Sequence, residues 1–253
     1  MPDFITVPTP DGDMLTHVAL PSGDGPFPVV VLLQEAFGVT DNLVDIAGRL
    51  ARDGFAAVAP ELYHRSGGRI VGAYDDMGSI TPHAVALTDG GIVSDLTAVI
   101  GWIGQQPMLD ATRVTTMGFC LGGRAAFLAA VSLPIVASIS FYGSGIVTTL
   151  DAWGLNSLLG RVAEMRCPVL FCFGLLDPTI PPEDIEKLRA ALLAEGKREG
   201  ADFEIAAYEN ANHGFFCDAR ESYQADAAAD AWHRSLRWLR RATSTPVGTD
   251  ARR

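Results

Sequence analysis

The sequence predicts an α/β architecture: a mostly parallel central sheet of about seven or eight strands, with helices on both faces. Three observations lead there. Short apolar runs such as Phe27–Leu33, Phe55–Ala59 and Pro168–Phe173 alternate along the chain with longer segments of helical composition. The run Phe27–Leu33 is apolar throughout rather than alternating, as expected of a strand covered on both faces. Finally, 253 residues with 48% hydrophobic and 19% charged side chains can build a sizeable core, and one large domain over 1–241 is the simplest reading.

The elements follow in order. Residues 4–7 and 13–20 alternate apolar and polar around Thr9-Pro10-Asp11-Gly12, which predicts an antiparallel hairpin at a sheet edge. After the 27–33 strand, Asp41 is a candidate cap for a helix running to about Asp53 and closed by Gly54. The 55–59 strand stops at Pro60. Residues 61–87 have no clear period and hold Gly67, Gly68, Gly72, Gly78 and Pro82, so a loop or short-helix excursion over the site is expected. Residues 88–105 place Ile92, Leu96, Val99, Ile100 and Ile103 on one helical face. Strands are expected at 113–117, 135–142, 168–173 and 203–208, with a short helix within 151–165. Further helices are expected over 124–131, from 181 to about 197, and over 222–241. The tail 242–253 is expected to be disordered.

The joint between strand 113–117 and the following helix is Gly118-Phe119-Cys120-Leu121-Gly122-Gly123. A strand that turns into a helix within one residue crowds the backbone, which explains glycines on both sides and a strained residue at the tip. That tip is Cys120, where backbone N–H groups and the helix dipole favour a thiolate and then an oxyanion. By itself the pattern also fits a buried structural cysteine in a glycine-rich turn.

The rest of the chain bears on that choice. In an open parallel sheet, ligands sit beyond the carboxyl ends of the strands. Glu35, Cys120, Tyr142, Asp177 and His213 each fall at or just after the end of an expected strand. Cys120, Asp177 and His213 occur in the order nucleophile, acid, histidine, which is the α/β-hydrolase order. Acyl transfer needs those three roles: a nucleophile, a base to carry its proton, and an anion to orient the base. Asp177 also reads as a turn former before Pro178, with Glu209 the reserve acid, and His213 also reads as a solvated loop histidine. His17, His64, His83 and His233 lie in the hairpin, the excursion and the last helix, and are poorer candidates. Glu35 follows a fully apolar strand, where a carboxylate is costly unless it faces a site or a partner. Held against Cys120, it would oppose ionisation of the thiol until substrate rearranges the contact. The N–H groups of Ala36 and Leu121 are the candidate halves of an oxyanion hole.

Gln34-Glu35-Ala36-Phe37-Gly38, the cysteine elbow, Phe141-Tyr142-Gly143, Gly174 to Asp177, and His213-Gly214-Phe215 together resemble the dienelactone hydrolase family. The resemblance covers roughly residues 5–241. It implies an α/β-hydrolase fold and a carboxymethylenebutenolidase type of reaction, in which the cysteine opens an enol-lactone, an acyl-enzyme forms and water releases maleylacetate. It also implies that Glu35 takes the thiol proton when substrate binds and that Tyr142 lines the site. Members that read a substrate carboxylate do so with arginines before the elbow and shortly after the histidine. Here no arginine lies between Arg69 and Arg113, and Cys217 stands four residues past His213. Arg65, Arg69 and Arg220 are the candidate substitutes, and Phe37 is a candidate pocket residue.

Composition narrows the alternatives. A net charge of −11 argues against nucleic acid or an anionic membrane surface as a partner. The four cysteines, 120, 167, 172 and 217, are spaced for neither a disulfide framework nor zinc, so no metal or cofactor is expected. With no visible secretory signal and no apolar run of membrane-spanning length, a cytoplasmic location is expected, as a monomer or homodimer. The expected function is hydrolysis of an enol-lactone or activated ester through Cys120, His213 and Asp177. A broader carboxylesterase or thioesterase on the same site, or a non-hydrolytic redox or ligand-binding protein using Cys120, are the alternatives.

Overall fold

A computed structural model describes residues 4–244. The edge hairpin pairs β1 (Phe4–Thr9) with β2 (Gly12–Ala19), and the remaining strands are β3 (Phe27–Leu33), β4 (Ala56–Pro60), β5 (Leu109–Phe119), β6 (Ala137–Phe141), β7 (Val169–Gly174) and β8 (Phe203–Tyr208). They form one sheet in the order β1-β2-β4-β3-β5-β6-β7-β8. The β1–β2 and β2–β4 pairs are antiparallel and all others are parallel. The apolar run expected to be central is central: Val29 to Leu33 are buried without alternation. Because successive strand residues point to opposite faces, that pattern requires cover on both sides.

Cover comes from α1 (Asp41–Arg52), α3 (Asp89–Ile103), α4 (Leu121–Ser132), α5 (Pro182–Ala194) and α6 (Ala225–Ser244), with α2 (Met77–Val85) lying in the excursion. On α1 and α6, the Arg49 guanidinium sits 4.2 Å from the Trp232 ring centre and Arg240 pairs with Asp53. The helix α4 has every residue from Leu121 to Val131 buried. Among them is Arg124, whose charge is met by Asp89 and by the Asn156 carbonyl.

Several boundaries differ from the sequence reading, each for a local reason. The cap of α1 is Thr40, whose hydroxyl accepts from the Leu43 amide, and Asp41 occupies the first helical position. The β5 strand starts at Leu109, four residues early, and a register shift at Pro28/Val29 absorbs the polar stretch before Val114. Within 151–165, where a short helix is expected, two short 3₁₀ helices form, Asp151–Trp153 and Leu159–Glu164. The α5 helix ends at Ala194, and α6 runs from Ala225 through Ser244. Thus 242–244 of the expected tail are helical, and the rest of it lies outside the described residues.

Candidate active site

The elbow is built by steric necessity. Cys120 takes φ +54° and ψ −115°, a conformation L-residues rarely adopt, and caps the amino end of α4. Its amide donates to the Phe141 carbonyl at 3.0 Å and its carbonyl accepts from the Arg124 amide at 3.1 Å, so both neighbouring elements hold the strained residue. A Cβ on Gly122 would lie 2.2 Å from the Leu33 carbonyl oxygen, which is why the helix can approach β3 only with glycine there.

Strand ends bring the remaining groups to this tip. Asp177 follows β7 and is 2% exposed. Its Oδ2 lies 2.7 Å from His213 Nδ1, and its Oδ1 accepts from the Thr179 amide at 2.8 Å and the Thr179 hydroxyl at 2.7 Å. His213, after β8, lines the same pocket as Cys120. Burial alone would lower the imidazole pKa. The charge of Cys120, the hydrogen bond to Asp177 and that carboxylate's charge outweigh it and push the value up to about 10. Asp177, conversely, is held below its ordinary range despite burial, by His213 and Thr179. The sequence reading missed Thr179. Its signal is the Asp-Pro-Thr turn, in which an Asp side chain bonds the backbone two residues on.

Glu35, just past β3, is nearly buried, and burial raises its pKa against the charges of Arg220 and His213 and a hydrogen bond with Tyr142. Arg220 Nη1 lies 3.5 Å from Glu35 Oε1. Among the described residues the Glu35 carboxylate forms no hydrogen bond with Cys120; its neighbours are Arg220, Tyr142 and His213. Gly214, at φ +76°, makes room for that arrangement, since a Cβ there would fall 2.4 Å from Arg220 Nη1. Tyr142, at φ +36° and 1% exposed, sits behind the histidine with its ring 5.1 Å from the imidazole in a T-shaped contact.

Above Cys120 and His213 opens a pocket of about 400 Å³. Its wall includes Phe37, Leu121 and Arg220, as well as Met77 and Leu150 to Trp153, which the sequence reading did not single out. The amides of Ala36 and Leu121 belong to pocket residues, and neither donates a hydrogen bond among the described residues. The Ala36 carbonyl is pinned by the Tyr63 hydroxyl at 2.8 Å, which fixes this backbone. Arg65 and Arg69 are elsewhere. Arg65 forks onto Asp95 and Asp11, while Arg69 donates to the Val39 carbonyl and stacks on Phe4. No cluster of His, Cys, Asp and Glu among the described residues is arranged to hold a metal ion.

A family model for the dienelactone hydrolase family matches residues 14–243. The chain belongs to the dienelactone hydrolase family. It is 37% identical over 243 residues to a protein of Escherichia coli O157:H7 named "Putative carboxymethylenebutenolidase", an overlap of 94% of this chain and 86% of the other. A Methylorubrum extorquens protein of the same name is 34% identical, over 93% of this chain and 79% of its own. Among solved structures, a "Putative Dienelactone Hydrolase" from Klebsiella pneumoniae superposes with a TM-score of 0.85 at 32% identity, covering 94% of this chain and 98% of that one. Membership makes the chain a hydrolase of the dienelactone hydrolase type on the α/β-hydrolase fold. No single helix among the described residues is long and apolar enough to cross a membrane.

Proposed function

We propose that this hydrolase opens an enol-lactone or activated ester by covalent catalysis, with Cys120 as nucleophile, His213 as acid and base, and Asp177 as the orienting anion. The observation that carries the reading is the position of His213, which is bonded to the Asp177 carboxylate and lines the same pocket as Cys120. The reactive form is the thiolate–imidazolium pair, in which His213 holds the proton that Cys120 gives up.

The Cys120 sulfur attacks the carbonyl carbon, and the two unengaged amides of Ala36 and Leu121 receive the developing oxyanion. As the intermediate collapses, the C–O bond breaks and the imidazolium gives its Nε2 proton to the departing oxygen, leaving a thioester. Neutral His213 then removes a proton from water, and the hydroxide attacks the thioester. The sulfur leaves as thiolate, which regenerates the ion pair. Asp177, fixed by two bonds from Thr179, keeps the Nδ1 proton in place so that Nε2 faces the sulfur. In this geometry the Glu35 carboxyl group faces Arg220, Tyr142 and His213; receipt of the thiol proton would require it to swing toward Cys120.

The test is Cys120→Ala with hydrolysis of p-nitrophenyl acetate and of a dienelactone. Turnover should vanish on both, and mass spectrometry of quenched wild-type enzyme should show an acyl adduct on the peptide carrying Cys120. Retained turnover in the variant refutes the reading.

A further inference from the structure

The pocket has more room and a different lining from what a small, charged lactone requires. Its volume, about 400 Å³, lies in the roughly 300–1,000 Å³ range of sites that take drug-sized ligands. One wall is apolar and assembled from two distant segments: Met77 at the start of α2, and Leu150 and Trp153 around the 3₁₀ turn after β6, which packs against α2. Met77 is 40% exposed there, a large apolar side chain with nothing over it.

The charges point the same way. Arg220 and His213 are the cations of the pocket wall, and both are already engaged: His213 with Asp177, and Arg220 facing Glu35 and lying 5.7 Å from both the Phe37 and Tyr74 ring centres. Asp151 is an anion on the same wall. Arg65 and Arg69 are committed to Asp95, Asp11 and the Val39 carbonyl. A substrate carboxylate would therefore give up water beside apolar groups, compete with Glu35 for one guanidinium and approach Asp151.

We propose that this site takes a neutral carboxylic ester carrying a bulky apolar group, seated on Trp153, Leu150 and Met77, in preference to a substrate with a free carboxylate. The inference rests on the Cys120 reading above. Binding energy from that remote apolar group raises kcat/KM by holding the carbonyl against Cys120.

Two substrates that differ only at the far end of the acyl chain test it: p-nitrophenyl hexanoate and mono-p-nitrophenyl adipate, with p-nitrophenyl acetate as the short reference. The hexanoate should exceed the adipate in kcat/KM by about tenfold or more. In Trp153→Ala the ratio of hexanoate to acetate kcat/KM should fall about tenfold, and Met77→Ala, at an exposed position, should move it in the same direction. Asp151→Asn should narrow the gap between hexanoate and adipate. Equal or greater turnover of the adipate by wild-type enzyme, or an unchanged hexanoate-to-acetate ratio in both wall variants, overturns the proposal. Cys120→Ala assayed on the acetate decides the catalytic reading separately, so failure of one is distinguishable from failure of the other.

Discussion

Asp177→Asn probes the charge balance at the histidine. The perturbation is isosteric: the Thr179 amide and hydroxyl can still donate to the remaining oxygen, so the loop keeps its anchor. What is lost is a negative charge 2.7 Å from His213 Nδ1. Holding the imidazole at about 10 rather than its ordinary 6.5 represents a net stabilisation of the imidazolium of about 5 kcal/mol, at roughly 1.4 kcal/mol per pH unit. The histidine side chain is 16% exposed, so little of this is screened by water. Cys120 and Asp177 share the effect. If Asp177 supplies somewhat under half, about 2 kcal/mol, the ion pair weakens about 30-fold. An Asn amide donating to Nδ1 would also favour the tautomer with its proton on Nε2, and a wrong tautomer costs up to about 10⁴ in a related triad. The expected loss in kcat/KM thus lies between about 30-fold and 10⁴-fold. The pH profile carries a second signature. The proposed mechanism requires the imidazolium as acid, so in the wild type activity should fall as pH rises through about 10. In Asp177→Asn that alkaline limb should move toward neutrality. Hydrolysis of p-nitrophenyl acetate from pH 5 to 10.5, with iodoacetamide alkylation as an independent readout of the thiolate, measures both. Activity within threefold of wild type and an unmoved alkaline limb would refute the argument.

Thr179→Val removes a hydroxyl that donates to Asp177 and lies 2.9 Å from the Ser144 hydroxyl. One hydrogen bond to a charged group is worth about 1.5–3 kcal/mol. Steady-state kinetics should show kcat falling about tenfold with KM little changed, and Thr179→Ser should restore it. Gly122→Ala forces a Cβ within 2.5 Å of both the Leu33 and Gln34 carbonyl oxygens. Urea denaturation should show a loss of several kcal/mol, or expression should fail; a variant as stable as wild type would contradict the close approach of α4 to β3. Glu61 is fully buried; the amides of Tyr63, Val39 and Ile70 and the charge of Arg69 face it, yet its oxygens form no well-aligned hydrogen bond. Burial raises its pKa to about 7 from 4.5. The folded state therefore binds the proton more tightly than the unfolded one. The associated stability is fully present below pH 4.5 and is lost as pH rises through about 7, by about 3 kcal/mol in all. Denaturation midpoints of wild type and Glu61→Gln, compared at pH 5 and pH 8, should diverge accordingly. Parallel pH profiles would show that Glu61 does not titrate in this range.

What was legible in the sequence is what the backbone dictates. A residue at φ +54° between a buried strand and a buried helix needs glycine neighbours, and those glycines stand in the sequence around Cys120. A strand covered on both faces must be apolar throughout, so β3, and Glu35 two residues past its end, could be located without coordinates. The same logic put Asp177 and His213 at strand ends. Illegible were the destinations of long side chains. Arg65 and Arg220 look alike in sequence, but one reaches across to Asp95 and the other lies over Gly214 to face Glu35, and the difference is set by contacts 30 and 185 residues away. Glu35 shows the same limit: its place at the rim was readable, whereas its partners depended on where Arg220 and Tyr142 came to rest. The pocket wall was hidden for a further reason. Met77 and Leu150 to Trp153 lie in segments with no hydrophobic period, because such a period records burial against the core, and these residues face the pocket instead. Reaction type was therefore readable from backbone constraint, while substrate selection resides in aperiodic segments whose meaning emerges only when the fold brings α2 and the 151–153 turn together.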